Sequence, residues 1–269
     1  MQIQYWGVRG TVAVPGPTTT RYGGNTSCVA VEFRDSVLII DAGTGIIPLG
    51  KHLANSDKRI FLLFSHLHLD HIRGFPLFAP LYQAESAVTL IGFERNGVDW
   101  FPTDMFDGVH FPTDVRDLPA SIAKAPSSLT SSVIGADAEV TFLPINHPGG
   151  ANAIRIRSDD GTFVHVPDNE LLPGTRSYID LVSFCKDAEL LSHDAQYTEE
   201  EYAGKAGWGH SSWERVCQLA KEASVGHVVL FHHDPDRDDD ALDDIQRRAV
   251  RTMGAVPCTV AREGLRVLI

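Results

Sequence analysis

The residues best suited to chemistry lie close together in Ser65-His66-Leu67-His68-Leu69-Asp70-His71, where three imidazoles and one carboxylate fall within six positions. That density of nitrogen and oxygen donors is a metal-ligating one. The stretch follows Ile60-Phe61-Leu62-Leu63-Phe64, a continuous apolar run that predicts a buried strand stopping where the polar residues begin. Residues two apart in an extended chain share a face, so His66 and His68 can serve one metal. A turn into a helix near Ile72 would swing Asp70 and His71 towards a second. A polar strand end with three unrelated histidines is the competing reading, and it leaves unexplained the histidines that end later strands.

The elements around this stretch read in chain order. Gln2 to Trp6 predicts a strand, and residues Val14 to Gly24, rich in Pro and Gly, predict a loop. Cys28 to Phe33 and Val37 to Asp41 form a hairpin across Arg34-Asp35-Ser36, and Asp41-Ala42-Gly43-Thr44-Gly45 turns tightly at its end. Gly74 to Gln83 is partly helical and Val88 to Gly92 is a strand. Residues Phe93 to Gly135 are broken by Pro102, Pro112, Pro119 and Pro126 and carry Trp100, Phe101, Phe106 and Phe111. Such an aromatic loop region between core strands suits a lid or interface insertion, or else a packed surface excursion.

Val140 to Ile145 predicts a strand ending at Asn146-His147-Pro148-Gly149-Gly150, and a hairpin over Ala153 to Val166 delivers Asp168. Leu190 to Ala195 is a strand with a polar end carrying His193 and Asp194. Thr198 with Glu201, and Ser211 with Glu214, predict two capping boxes that open helices. His227 to Phe231 ends in His232-His233-Asp234, and a capped helix over Asp238 to Gly254 puts Leu242, Ile245, Ala249 and Met253 on one core-facing stripe. The tail from Pro257 predicts a closing pair of edge strands around Glu263-Gly264.

A chain of 269 residues with 43% hydrophobic and 22% charged residues suits one soluble α/β domain spanning 1–269. No apolar run reaches the length of a membrane span and Met1 to Trp6 does not read as a signal peptide, so a cytoplasmic protein without membrane contact is expected. Cys28, Cys185, Cys217 and Cys258 are scattered among apolar neighbours and read as reduced core residues. The formal charge of -12 argues against a broad nucleic-acid surface. It leaves small anionic substrates open, because bound cations set the local field of a pocket.

The His-x-His-x-Asp-His pattern resembles the signature of the metallo-β-lactamase superfamily. The resemblance implies an αββα sandwich, two mixed β-sheets flanked by helices, with a metal centre along one edge. Trp6-Gly7-Val8-Arg9-Gly10, Tyr22 to Cys28 and Asp41-Ala42-Gly43-Thr44-Gly45 resemble the phosphodiesterase-like branch that includes tRNase Z and the cyclic-nucleotide phosphodiesterases. On that resemblance His66, His68 and His147 hold one metal and Asp70, His71 and His232 or His233 the other, with Asp168 bridging. His232 comes first after its strand and is preferred. Imidazoles with a few carboxylates suit zinc, with manganese or iron where oxygen ligands suffice.

Two such ions about 3.5–4 Å apart would share a water that ionises near neutral pH. Leu191-Ser192-His193-Asp194-Ala195 and Gly209-His210-Ser211-Ser212 resemble paired tRNase Z motifs, which makes His210 the general acid and Asp194 its orienting partner. Asp194 stands where that family carries Glu, which shortens the reach. The expectation is therefore a dinuclear phosphodiesterase in which a metal-bridging hydroxide attacks a small nucleotide-like or cyclic nucleotide substrate. A tRNase Z-like RNA endonuclease and a carboxylic ester, thioester or lactone hydrolase are the alternatives, and the resemblance also implies a homodimer. The chain has no basic protruding arm of the kind tRNase Z uses to hold tRNA.

Overall fold

The computed structural model of the chain describes residues 1–54, 56–134 and 138–269. Its first half runs β1 (Gln2–Gly7), β2 (Cys28–Glu32), β3 (Ser36–Ile40), α1 (Ile46–Leu53), β4 (Arg59–Leu63), α2 (Leu69–Ile72), β5 (Ala87–Ile91), β6 (Phe93–Arg95), β7 (Val98–Trp100), β8 (Ser121–Ala125) and α3 (Thr130–Ile134). The second half runs β9 (Glu139–Ile145), β10 (Ala151–Ser158), β11 (Gly161–Val166), α4 (Arg176–Cys185), β12 (Leu190–Asp194), α5 (Glu199–Tyr202) and α6 (Trp213–Glu222). It closes with β13 (Val228–Phe231), α7 (Asp239–Met253), β14 (Cys258–Val260) and β15 (Arg266–Leu268).

Among the described residues the strands form two large mixed sheets, in the orders β15-β1-β2-β3-β4-β5-β8 and β14-β13-β12-β11-β10-β9. Their inner faces meet in one apolar cluster that includes Tyr5, Leu38, Leu63, Ile154, Phe163 and Phe231. On the outer face of the second sheet, Leu181, Val216, Leu219, Leu242 and Ile245 of α4, α6 and α7 form another cluster. Ile46 and Leu49 of α1, with Phe75 and Phe78, cover the outer face of the first. The layers are thus αββα, as the motif implied. The continuous apolar reading of β3, β4 and β5 follows from this burial on both faces.

Strand direction places the chemistry. β3 runs parallel to β4, and β11, β12 and β13 run parallel to one another. β9 is antiparallel to β10, which is antiparallel to β11, so β9 and β11 point the same way. Residues just past the C-terminal ends of these strands therefore gather at one edge of the sandwich. They include Asp41, His66, His147, Asp168 and His232, with Asp194 at the very end of β12.

Three expectations need correction. The segment beginning at Phe93 is more regular than an aromatic loop: Asn96 and Gly97 both have positive φ, 54° and 79°, and close the β6–β7 hairpin with the left-handed turn that an Asn-Gly pair favours. Its later part supplies β8, the parallel edge strand beside β5, and buries Phe106 against Phe75. Gly135, the last residue of that segment, lies outside the described residues. The tail strands do not pair with each other, since β14 joins β13 and β15 joins β1, one in each sheet. Finally, α6 is capped by Ser212, whose Oγ accepts from the Arg215 N–H at 3.3 Å. Ser211 is occupied elsewhere, donating to the Asn169 carbonyl and accepting from the Leu171 N–H.

The Thr198 capping box on α5 forms as expected, and Cys28, Cys185, Cys217 and Cys258 are free and buried. Among the described residues no helix is long and apolar enough to cross a membrane. Phe231 is fully buried, packs on Tyr5 and His165, and is followed directly by His232. Phe231→Ala should lower unfolding stability by about 3–5 kcal/mol in urea denaturation. A loss of less than about 1 kcal/mol would show that the two sheets do not depend on this ring.

Candidate metal centre

Three groups of donors converge at the strand ends; Asp168 belongs to the first two, and Asp194, His210 and His232 form the third. In the first, His68 Nδ1 lies 3.0 Å from His147 Nε2. Asp168 Oδ2 stands 3.6 Å from His66 Nε2 and 3.7 Å from His147 Nε2. In the second, His71 Nε2 and His232 Nε2 are 3.3 Å apart, and Asp168 Oδ1 is 3.1 Å from each. Asp70 Oδ2 completes that group at 3.4 Å from His71 Nε2 and 3.2 Å from His232 Nε2. The structure thus brings together His66, His68, Asp70, His71, His147, Asp168 and His232. His233 turns away and its Nε2 donates to the Ala261 carbonyl at 2.7 Å.

The proton positions favour a cation. His71 Nδ1 is tied to Asp41 Oδ2 at 2.7 Å, His147 Nδ1 to the Gly209 carbonyl at 2.9 Å and His232 Nδ1 to Gln196 Oε1 at 3.2 Å. Each ring therefore donates outward through Nδ1 and directs its Nε2 inward. Buried His66 Nε2 and Asp168 Oδ1 have no hydrogen-bond partner. Lone pairs and carboxylate oxygens this close repel unless positive charge lies between them. The donor set, five imidazoles and two carboxylates, fits divalent metals.

The electrostatics of the site agree with that reading. Burial opposes charge on His71, yet the carboxylates of Asp168, Asp70 and Asp41 together hold its pKa well above the ordinary value. A proton there does what a metal would do. Burial pushes His147 the other way, down to about 4, which keeps it neutral and able to ligate.

Asp41 was not singled out from the sequence, where it reads only as the end of a strand before a glycine turn. Fully buried, it accepts from the Ser65 N–H at 2.8 Å, the Ser65 hydroxyl at 2.7 Å and His71. It thereby fixes both the start of the histidine motif and the orientation of one ring. Thr11, another residue missed, donates its N–H to Asp70 Oδ2 at 2.7 Å. Thr11, Asp41 and His232 have φ of 64°, 63° and 60°, a left-handed conformation that non-glycine residues adopt at a cost of about 1–3 kcal/mol. All three lie at this edge, while Asn96, Asp187 and Ser224 share the conformation in turns away from it.

His210 Nδ1 binds Asp194 Oδ2 at 2.9 Å, so the shorter acid still reaches its histidine. Asp194 is held in turn by the Asn169 and Gln196 N–H groups. Burial lowers the His210 pKa, but the Asp194 carboxylate outweighs it and the net result is a rise to about 9. The preceding Gly209 has φ 87°, and a Cβ there would lie 2.4 Å from His147 Nδ1. Only glycine lets this loop touch both histidines.

A cavity of about 490 Å³ opens onto His68, Asp70, His147, Asp168 and His210, with Lys205 and Trp208 among its other walls. The Lys205 ammonium stands over the rings of Tyr197 and Trp208 and 3.3 Å from Asp234 Oδ2.

The profile of the Beta-lactamase superfamily domain matches residues 37–233. The chain belongs to this superfamily. Among relatives of the superfamily, the probable metallo-hydrolase YhfI of Bacillus subtilis (strain 168) is 26% identical over 213 residues, covering 77% of this chain and 79% of YhfI. The crystal structure of YhfI, of the metallo-beta-lactamase fold, superposes with a TM-score of 0.70 at 19% identity, covering 99% and 98% of the two chains. Human tRNase Z, short form, gives a TM-score of 0.69 at 17% identity over 100% of this chain and 99% of its own. A diphosphatase from the PhnP family gives 0.67 at 15% over 100% and 97%. These superfamily members share the fold, and the metallo-hydrolase relatives support a metal-dependent hydrolase.

Asp41→Asn keeps the shape but weakens the acceptor for His71. It should reduce metal affinity about 10- to 100-fold, read by competition with a chromophoric chelator. Unaltered affinity would mean that the Asp41 carboxylate does not tune the site.

Proposed function

We propose that the protein is a dinuclear metal-dependent phosphodiesterase for a small nucleotide-like or cyclic nucleotide diester. His66, His68 and His147 hold one divalent ion, Asp70, His71 and His232 the other, and Asp168 is shared. Zinc suits this imidazole-rich set, with manganese or iron as further candidates. Bound ions of this kind supply an activated water and positive charge for the phosphoryl oxygens at neutral pH.

The observation that carries the reading is the buried His210–Asp194 pair on the same cavity as the ligands. With Nδ1 engaged by Asp194, His210 can offer only its Nε2 proton to a bound molecule. An alkoxide is a poor leaving group, and a positioned acid is worth roughly 10²–10⁴-fold in rate. Asp194 fixes the ring and stabilises its charged form. Cations on the adjacent ligands would bring the His210 pKa down from about 9 by repulsion, towards the pH at which an acid both holds and releases its proton. The proton is present below that pKa and lost above it, so turnover of alkyl diesters should decline on the alkaline side.

The likeness to human tRNase Z favours an RNA 3′-end nuclease as the second reading. The net charge of -12 weighs against it, because a long polyanion is held by a basic track.

Metal-reconstituted protein should cleave bis-p-nitrophenyl phosphate much faster than p-nitrophenyl acetate, and the reverse order would point to a carbonyl substrate. Asp70→Ala should abolish diester turnover; full activity in that variant would end the dinuclear scheme. His210→Ala should retain its metal and lose roughly 10²–10⁴-fold on diesters with alkyl leaving groups. On p-nitrophenolate, which needs little protonation, the loss should be smaller, and equal losses on both would remove the acid role.

A further inference from the structure

A second cavity, of about 450 Å³, lies on the other side of His68 and has no part in the acid chemistry. Its walls are His66, Leu67 and His68 from the metal motif, Phe93, Arg95 and Trp100 from the β6–β7 hairpin, and the Gly149-Gly150 turn. His68 is the one residue that lines both cavities. Its Nδ1 faces the metal ligands, while its Nε2 looks towards the turn, 3.4 Å from where a Gly149 Cβ would stand. A Cβ on Gly150 would stand 3.6 Å from the Phe93 ring. The cavity thus reaches the ligand residues His66 and His68 at one side and the hairpin at the other.

The two cavities differ in character. Carboxylates and Lys205 line the one beside His210, whereas here the charged group is a single guanidinium, Arg95, beside the rings of Phe93 and Trp100. Trp100 and Val98 are each 52% exposed, so the indole is accessible from solvent beside the cavity. Among the described residues, the Arg95 side chain has no hydrogen-bond or ion-pair partner, in a protein rich in acids. A flat face, a free guanidinium and an opening onto the reacting centre suit a ring joined to an anionic group.

A diester has two arms. In an open-chain diester, where the alcohol protonated by His210 leaves into the cavity of Lys205 and Trp208, the arm that keeps the phosphate needs another place to lie. We infer that the cavity formed by Phe93, Trp100 and Arg95 is the subsite for a planar aromatic group on the phosphate-retaining arm of the substrate. This assignment rests on the diesterase reading, and it makes Trp100 the residue that selects ring-bearing diesters.

Two substrates with the same leaving group test it. Bis-p-nitrophenyl phosphate retains an aryl arm and methyl p-nitrophenyl phosphate a methyl arm, while both release p-nitrophenolate. Wild type should show a KM roughly 5- to 100-fold lower for the aryl diester. Trp100→Ala should bring the ratio of the two KM values close to one, and Trp100→Phe should restore most of it. A wild-type ratio already near one, or a ratio unmoved by Trp100→Ala, would overturn the assignment.

A binding arm separates this failure from failure of the diesterase reading. Adenosine monophosphate, phenyl phosphate and ribose 5-phosphate are titrated against tryptophan fluorescence. Quenching by the first two only, lost in Trp100→Ala, supports the ring subsite even in a protein that cleaves no diester. Tighter binding of the nucleotide than of phenyl phosphate would identify the ring as a nucleobase, and the opposite order as a simple aryl group. Ring-independent quenching would refute the subsite.

Discussion

Asp168 has to face two sets of histidines at once. One of its oxygens stands among His66, His68 and His147, and the other between His71 and His232. A buried carboxylate ringed by inward-facing lone pairs is unfavourable in itself, and only positive charge makes the arrangement stable. Everything at this edge serves that condition. The parallel strands gather the donors, left-handed backbone at Asp41 and His232 aims them, and outward hydrogen bonds orient the rings of His71, His147 and His232.

The surrounding residues then divide the labour. His210 is not among the seven donors of the two groups that share Asp168, yet it stacks on His232 and sits 5.4 Å, ring to ring, from His147. Its partner Asp194 ends β12 and is anchored by backbone N–H groups, so the orientation of the histidine ring is tied to the sheet. Glu170 plays the matching role for the loop that carries His210, accepting from the Gly207 and Gly209 N–H groups. The proton-donating group and the ligand groups share this scaffold: the Gly209 carbonyl accepts from His147, and Gln196 donates its N–H to Asp194 while its side-chain oxygen accepts from His232.

How far this could be read from the sequence depended on range. The donors after β4, β9, β11 and β13 were legible because each follows an apolar run and carries an imidazole or carboxylate that a turn would waste. His232 could be preferred to His233 by its place after the strand, although the backbone twist that separates them was not visible. Asp41 escaped notice because a strand-end Asp before glycine has many structural uses, and its three partners are distant in sequence. The β6–β7 hairpin was announced by Asn96-Gly97 and overlooked among the prolines and aromatics that follow. The splitting of the tail between two sheets, and the cavities on either side of His68, arise from packing between remote elements, which no local pattern encodes.

His66, Asp70 and His71 hang from the first sheet, while His147, Asp168 and His232 hang from the second. Ions gripping both sets would act as a clasp across the open edge of the sandwich, where the apolar filling gives way to polar groups. Cohesion of the two halves and occupancy of the centre then become one equilibrium: each bound ion holds the layers in register, and each opening of the layers releases an ion. A chain that binds ions this way would draw part of its integrity from the metal supply of its surroundings.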